Sequence, residues 1–486
     1  MSLRSIGRRA LLASSLALLG AGAGAQSFDT PPTPGAPRPL AIDAPVEQRL
    51  PNGLRIVLAE RRGVQLVTAQ LVVLSGAEVD PPGRAGLASM TANLLTKGTK
   101  RHSATALARA AESLGGALDS SAGWHQSSVG ITVTLPKLDA ALALVSEVVQ
   151  QPALAADELE RLRVQSLDEL KVAYSQPGTL ASLAAQRLLY GDGAYGHPSG
   201  GTPTSLASLT RTDLLALHRA RYRPDNAVLV LAGDLSADAA LKLAQRHFGA
   251  WRGSGEAPAP VAALTAAELP QAGALIELPK SGQAAVVVAT PLPPLGADRA
   301  AAAVMNAVLG GGYSSRLNQE IRIRRGLSYS AYSGIDARPG GASLRAVVQT
   351  KNESAAEVVA LVRAELDRLA AQPVTDAELA ARKATLIGDF GRSVETTSGL
   401  AAALRSLVVG GLPPADLRRR IDALSVVSAA DVQRYAAANL NAATRRVAVA
   451  GDAPAFAEAL GAALPGLVTV PAGRLDLDRG AALMAP

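Results

Sequence analysis

Few residues in this sequence are of a type that does chemistry. It holds five histidines, His102, His125, His197, His218 and His247, and no cysteine. Without cysteine there is no disulfide, no thiolate nucleophile and no thiolate-ligated zinc or iron–sulfur site. No two histidines stand three to five residues apart, so a compact two-histidine metal motif is missing. His197, between Gly196 and Pro198, reads as a turn residue. His125, beside Trp124, is expected at the start of a strand. The run Gly310-Gly311-Gly312 lacks a following Lys-Ser/Thr and is no phosphate-binding loop. The formal charge is +7, but Arg4, Arg8 and Arg9 lie in an acid-free first stretch. The remaining excess is modest, and no basic run is interleaved with aromatics, which speaks against nucleic acid as a partner.

The elements that must position any site come in a definite order. Residues 1–25 have a positive start, an apolar core from Ala10 to Gly20, and Ala23-Gly24-Ala25 before Gln26. This is the pattern of a signal peptide, so the chain is expected in a bacterial periplasm. Arg8-Arg9 would suit a twin-arginine route, the general pattern an ordinary secretory one. Neither that core nor any later apolar run reaches the roughly 20 residues of a spanning helix. Residues 26–43 form a proline-rich leader.

With 48% hydrophobic and 18% charged residues in 486, the rest can build large cores in two to four domains. It is written twice. Val228-Leu229-Val230-Leu231-Ala232-Gly233-Asp234 returns as Val447-Ala448-Val449-Ala450-Gly451-Asp452, and Gln151-Pro152 before Asp157-Glu158-Leu159 returns as Gln372-Pro373 before Glu378-Leu379. Two homologous halves follow, 44–252 and 273–470, joined by a flexible Gly/Ala/Pro-rich linker, 253–272, and trailed by a tail, 471–486. Val129, Ile131, Val133 and Leu135 alternate as a strand, and Leu66 to Leu74 is a second β-rich run. Ala104 to Leu114 has helical spacing and stops at Gly115-Gly116. Thr375-x-x-Glu378 predicts a capping box. Strands and helices do not strictly alternate, which predicts an α+β fold with mostly antiparallel sheets.

Leu50-Pro51-Asn52-Gly53-Leu54-Arg55-Ile56-Val57-Leu58 resembles the first strand of the insulinase/pitrilysin-type zinc metallopeptidases. The likeness continues through Gly86-Leu87-Ala88, Lys97-Gly98-Thr99, Glu112-Ser113-Leu114-Gly115-Gly116, Tyr222-Arg223-Pro224-Asp225-Asn226 and Leu309-Gly310-Gly311-Gly312 with Ser314-Ser315-Arg316-Leu317. It spans nearly the whole chain and implies two α/β-roll halves. In that family Gly-Leu-Ala is followed by H-x-x-E-H, two zinc-holding histidines and a general base. Here Ser89-Met90-Thr91-Ala92-Asn93 stands instead, so Ser89, Ala92 and Asn93 are degenerate positions. The third family ligand maps best onto Glu169, which on its own reads rather as an exposed residue of a charged helix.

The family's other motif looks intact. Glu320-Ile321-Arg322-Ile323-Arg324-Arg325-Gly326-Leu327-Ser328-Tyr329-Ser330 resembles the segment whose arginine and tyrosine face the zinc, here Arg322 and Tyr329. A helix ending at Gly326 and a strand starting near Ser328 would place Arg322 in a last turn and Tyr329 at a strand start. The resemblance implies a non-zinc subunit of a heterodimeric peptidase, like the Arg/Tyr-motif partner of bacterial or mitochondrial-processing-type enzymes. It would bind no cofactor itself and be inactive alone. A zinc-bearing partner would complete a chamber for peptides, in which Arg322 binds substrate and Tyr329 steadies the oxyanion. A catalytically inactive peptide-binding or scaffold protein is the alternative, and an independent hydrolase a third.

Overall fold

Two sheets of six strands carry this chain, and both faces of each sheet are apolar. The computed structural model describes residues 42–254 and 273–479, apart from Val64. The expected signal peptide, the leader up to residue 41, the linker from residue 255 and the tail from residue 480 lie outside the described residues.

The first half runs β1 (Val46–Arg49), β2 (Arg55–Glu60), β3 (Leu66–Val73), α1 (Leu87–Leu95), α2 (Ala104–Ser113), β4 (Asp119–Ala122), β5 (Ser127–Thr134), α3 (Leu138–Gln150), α4 (Ala156–Ala173), α5 (Pro177–Tyr190), α6 (Pro203–Ser208), α7 (Arg211–Arg221), β6 (Ala227–Gly233) and α8 (Ala237–Phe248). The second runs β7 (Gly273–Glu277), β8 (Ala284–Leu292), α9 (Arg299–Leu309), a π-helical segment Asn318–Arg324, β9 (Ala331–Arg338), β10 (Gly341–Thr350), α10 (Ala355–Ala371), α11 (Asp376–Ser393), α12 (Thr397–Val409), α13 (Asp416–Ser425), α14 (Ala429–Asn439), β11 (Arg446–Gly451), α15 (Ala457–Ala463) and β12 (Val468–Pro471).

Strand orders are β1-β2-β6-β3-β5-β4 and β12-β7-β11-β8-β10-β9. The repeat is visible in the pairing. β6 lies parallel to β2 and antiparallel to β3, and β11 lies parallel to β7 and antiparallel to β8. The halves differ at one edge, where β1 is antiparallel to β2 but β12 is parallel to β7. Antiparallel pairs predominate, as the sequence order predicted.

Alternation assigns each strand residue to a face. Ile56, Leu58, Leu229 and Leu231 pack under α2, α3 and α8. Their neighbours Val57, Ala59, Val228, Val230 and Ala232 face the other way, onto α12 of the second half. The second sheet mirrors this. Val286, Val288, Val447 and Val449 join the core with α9, α10 and α14, while Ala285, Val287, Ala289, Ala448 and Ala450 receive α5 of the first half. Each half thus lends one helix to the other's sheet. The alanines on both sides of the α5 contact let its backbone come close. Both halves fall in one compact unit.

Chain ends and caps add detail. Leu477 is buried, and the buried Arg187 of α5 donates to its carbonyl; Thr202 donates to Asp478 Oδ1 at 2.7 Å. The capping box expected at Thr375 is only half made. Thr375 Oγ1 accepts from the Glu378 N–H at 3.3 Å, but the Glu378 carboxylate turns to Arg316 instead (2.9 and 2.7 Å).

Candidate functional site

The Arg322/Tyr329 motif occupies the turn between α9 and β9. α9 ends at Gly310, where a Cβ would lie 2.3 Å from the Ser333 nitrogen, so only glycine lets the chain pass β9 this closely. The Ser333 N–H donates to the Gly310 carbonyl at 3.0 Å. Gly310 and Gly311 therefore serve close packing contacts, consistent with the absence of a phosphate-loop pattern. The chain then reaches Tyr313 and enters the helical segment.

Leu317 and Ile321 are fully buried and anchor that segment by one face. It is π-helical over Asn318–Arg324, wider than the α-helix expected. π-helix is rare and is frequently found at functional sites. Asn318 is buried and donates to the Tyr313 carbonyl at 2.5 Å, holding the preceding loop. From α11, Arg382 grips Ser314 (2.8 and 2.9 Å) and Glu378 grips Arg316. Gly326, at φ +63°, stops the segment, and the Leu327 N–H returns to the Ile321 carbonyl at 2.9 Å.

The strand begins at Ala331, two residues after Tyr329, so Tyr329 sits in a lead-in loop and not at a strand start. That loop is tied to β10. Ser328 Oγ donates to the Gln349 carbonyl and Thr350 Oγ1 to the Leu327 carbonyl, each at 2.6 Å. Tyr329 is 86% exposed and Tyr313 64%.

The charges in this segment sort themselves. Glu320 accepts from Arg324 at 2.8 Å and Arg325 at 3.0 Å. Those contacts, Arg325 first, hold its carboxyl below the usual range. Arg325 also reaches Glu357 at 3.4 Å. Arg322 has no such carboxylate among the described residues. Its guanidinium carbon lies 5.0 Å from the Tyr313 ring centroid and 4.8 Å from that of Tyr329. Two aromatic faces hold this cation in a cation–π clamp while its N–H donors stay unspent. The structure thus brings the two sequence-predicted residues together and adds Tyr313, which sequence reasoning missed. Its only signal was an aromatic directly after the glycine run.

At the degenerate positions, Ser89 and Asn93 are half-buried on α1, four residues apart, and Ala92 is fully buried. Asp80 accepts the Gly86 and Ala88 N–H groups at 2.8 and 2.9 Å at the start of α1. Glu169 is exposed on α4 and accepts from Gln165 at 2.8 Å. No group of three or more His, Cys, Asp or Glu among the described residues is placed to hold a metal. Ser and Asn offer weak neutral oxygens and Ala none, so this helix does not fit zinc.

A second polar group lies where the halves meet. Arg338 of β9 is buried, with its guanidinium carbon 4.3 Å from the Trp124 ring and 4.2 Å from that of Tyr195. His125 lies in the β4–β5 loop, before the strand expected to begin there, and Nε2 meets the Tyr195 hydroxyl. Glu78 Oε1 is 4.0 Å from His125 Nδ1. Burial pushes Glu78 and Asp80 up to about 7 each. Burial and then the Arg338 charge push His125 down to about 4. His197 keeps Nδ1 3.1 Å from the Pro198 carbonyl in a bend, with its ring 5.4 Å from Trp124.

Residues 55–199 match the model of insulinase, peptidase family M16, and residues 208–386 match the peptidase M16 inactive domain. An uncharacterized zinc protease of Mycobacterium leprae is 30% identical over 358 residues, 73% of this chain and 80% of that protein. The chain belongs to the M16 family. Its M16 fold is also that of the peptidase M16 inactive domain from Pseudomonas fluorescens, 27% identical with a TM-score of 0.78, covering 84% of this chain and 98% of the other. A non-peptidase homolog of Helicobacter pylori is 25% identical over 360 residues, 74% of this chain and 82% of that one. Within the M16 frame, the degenerate zinc positions lie in the stretch that matches the insulinase model, and the inactive-domain match begins after them, at residue 208. No helix among the described residues is long and apolar enough to cross a membrane.

Proposed function

We propose that this M16 chain is the non-zinc subunit of a two-chain periplasmic peptidase. The observation that carries the reading is Arg322, a cation left without a carboxylate and clamped between the exposed Tyr313 and Tyr329 rings. Its neighbours Arg324 and Arg325 are paired with Glu320, and Arg325 also with Glu357, whereas Arg322 has no carboxylate among the described residues. Arg322 would donate to carbonyl oxygens of a bound peptide. The Tyr329 hydroxyl would donate to the oxygen of the attacked carbonyl as negative charge develops there. The zinc that drives the attack would come from a partner carrying H-x-x-E-H. Because helix exchange locks the two halves together, the chamber would form between chains rather than within this one.

The test is peptide hydrolysis by this chain, by the zinc-motif partner and by the mixture, each with and without chelator. Chelator-sensitive turnover in the mixture alone is expected. Full activity of the partner by itself would overturn the reading. A second reading, a non-catalytic peptide-binding or scaffold protein, is favoured by the likeness to a non-peptidase homolog. It predicts saturable peptide binding by this chain with no gain in turnover on mixing.

A further inference from the structure

Far along the chain from the degenerate zinc helix, α9, α11, α12, α13 and the edge strand β9 line a half-open cavity of about 720 Å³. That is within the range of sites that take a whole small ligand. Leu386, Phe390, Leu407, Leu417, Ile335 and Leu424 make it mainly apolar. Its charged groups are not balanced. Asp389 is bonded by Arg392, and Asp416 lies 3.3 Å from Arg419, so each acid is taken by an arginine of its own helix. Arg299 and Arg420 also line the cavity, and neither has an acceptor or a carboxylate among the described residues.

Local physics disfavours the place of Arg299. Arg299 is the first residue of α9, where the helix dipole repels a cation. The adjacent Asp298 gives its oxygen to Arg434 at 2.9 Å instead, and Arg299 Nε is buried without a hydrogen-bond partner. Arg420 reaches solvent on one side and lies over the Phe390 ring, its guanidinium carbon 5.4 Å from the centroid. Desolvation and then the Arg299 charge hold its pKa below the usual arginine range. Two cations thus line one largely apolar cavity, and the two acids that also line it, Asp389 and Asp416, are each paired with another arginine.

We propose that this cavity binds a single-chain amphipathic anion, with its head group between Arg299 and Arg420 and its hydrocarbon tail along the leucine and phenylalanine walls. A buried donor without an acceptor is costly, and an anion would relieve both cations at once. A peptide fits less well. Four of the five walls are helix faces whose backbone groups are already bonded, so most of a peptide's own backbone would go unpaired. The head group could be a free carboxylate or the phosphate of a lysophospholipid; both supply the same chemistry.

Calorimetric titration of the delipidated full chain, below micelle-forming concentrations, tests this with laurate, dodecanol, acetate and lauroyl-lysophosphatidylglycerol. Laurate or the lysolipid is expected to saturate one site per chain, and the tighter of the two identifies the source. Dodecanol should bind about tenfold or more weakly than the better anion, and acetate should give no binding. Arg299→Met and Arg420→Met should each weaken the anion about tenfold and leave dodecanol unchanged. Should Arg299→Met fail to fold, the more exposed Arg420→Met carries the same comparison. Equal affinity for laurate and dodecanol, an Arg420→Met chain that binds the anion as before, several weak sites per chain, or displacement of laurate by an apolar tripeptide at equal concentration would each overturn the proposal.

Discussion

Tyr329 acts through two different parts of one side chain. Its ring faces Arg322 and its hydroxyl is free to donate. Tyr329→Phe keeps the first and deletes the second, so partner-dependent turnover is expected to fall about 10²–10³-fold with little change in KM. An unchanged rate would leave the residue as a clamp only. Tyr313→Leu removes half of the clamp and should raise KM several-fold instead. Glu78 makes a prediction of another kind. It holds its proton to about pH 7 in the fold but releases it near 4.5 when unfolded, so the folded state binds more protons in between. Stability from this group therefore declines as pH climbs through that interval. Asp80 behaves alike, and His125 oppositely, losing stability as pH falls from 6.5 towards 4. Glu78→Gln can still accept the Gly76 N–H and should be more stable than the parent by up to about 3 kcal/mol at pH 8, with no advantage at pH 4. Guanidinium unfolding at both pH values checks this; an equal offset at both would show that the carboxyl does not titrate as described. Arg322 and Tyr329 were legible as parts of a motif. Tyr313 was not, because it lies in the loop before the helical segment and no local period links it to Arg322.

At the scale of elements, alternation and capping signals located some of the strands and helices. α2 follows its predicted range within one residue and β5 within two. The π-helical segment escaped because Leu317 and Ile321, four apart, satisfy an α pattern equally well. The Thr375 box was half right because a tertiary partner, Arg316, outbid the local one for Glu378. α1 makes the testable case. Ser89 and Asn93 are half-buried on one face, so Ser89→His with Asn93→His should fold and acquire weak zinc binding that the parent lacks. Adding Ala92→Glu places a carboxylate where the backbone is closed and Ser120 already donates to the Ala92 carbonyl at 2.7 Å. That third change should cost roughly 2 kcal/mol or more. Calorimetric zinc titration and thermal melts of the three proteins check both statements, and a triple variant as stable as the double would show that the pocket for a general base persists.

On the scale of the whole molecule, duplication was legible and helix exchange was not. An apolar helix face in α5 or α12 announces that it must be buried, but not on which sheet. The exchange predicts one cooperative transition for both halves. Residues 42–254 and 273–479 made separately should each expose a sheet face and regain a sharp melt only when mixed; independent folding of either half would contradict the interlock.

The same interlock sets a timetable for synthesis. When β6 leaves the ribosome, Val57, Val228 and Val230 form a finished apolar plate whose cover, α12, is still about 170 residues from being made. At 5–20 residues per second the plate waits roughly ten to thirty-five seconds. During that interval the nascent chain is an adhesive surface, a natural client for a holding chaperone. Under the export proposed above, the delay would favour a threading route, because a sheet that cannot close early leaves the polypeptide unfolded.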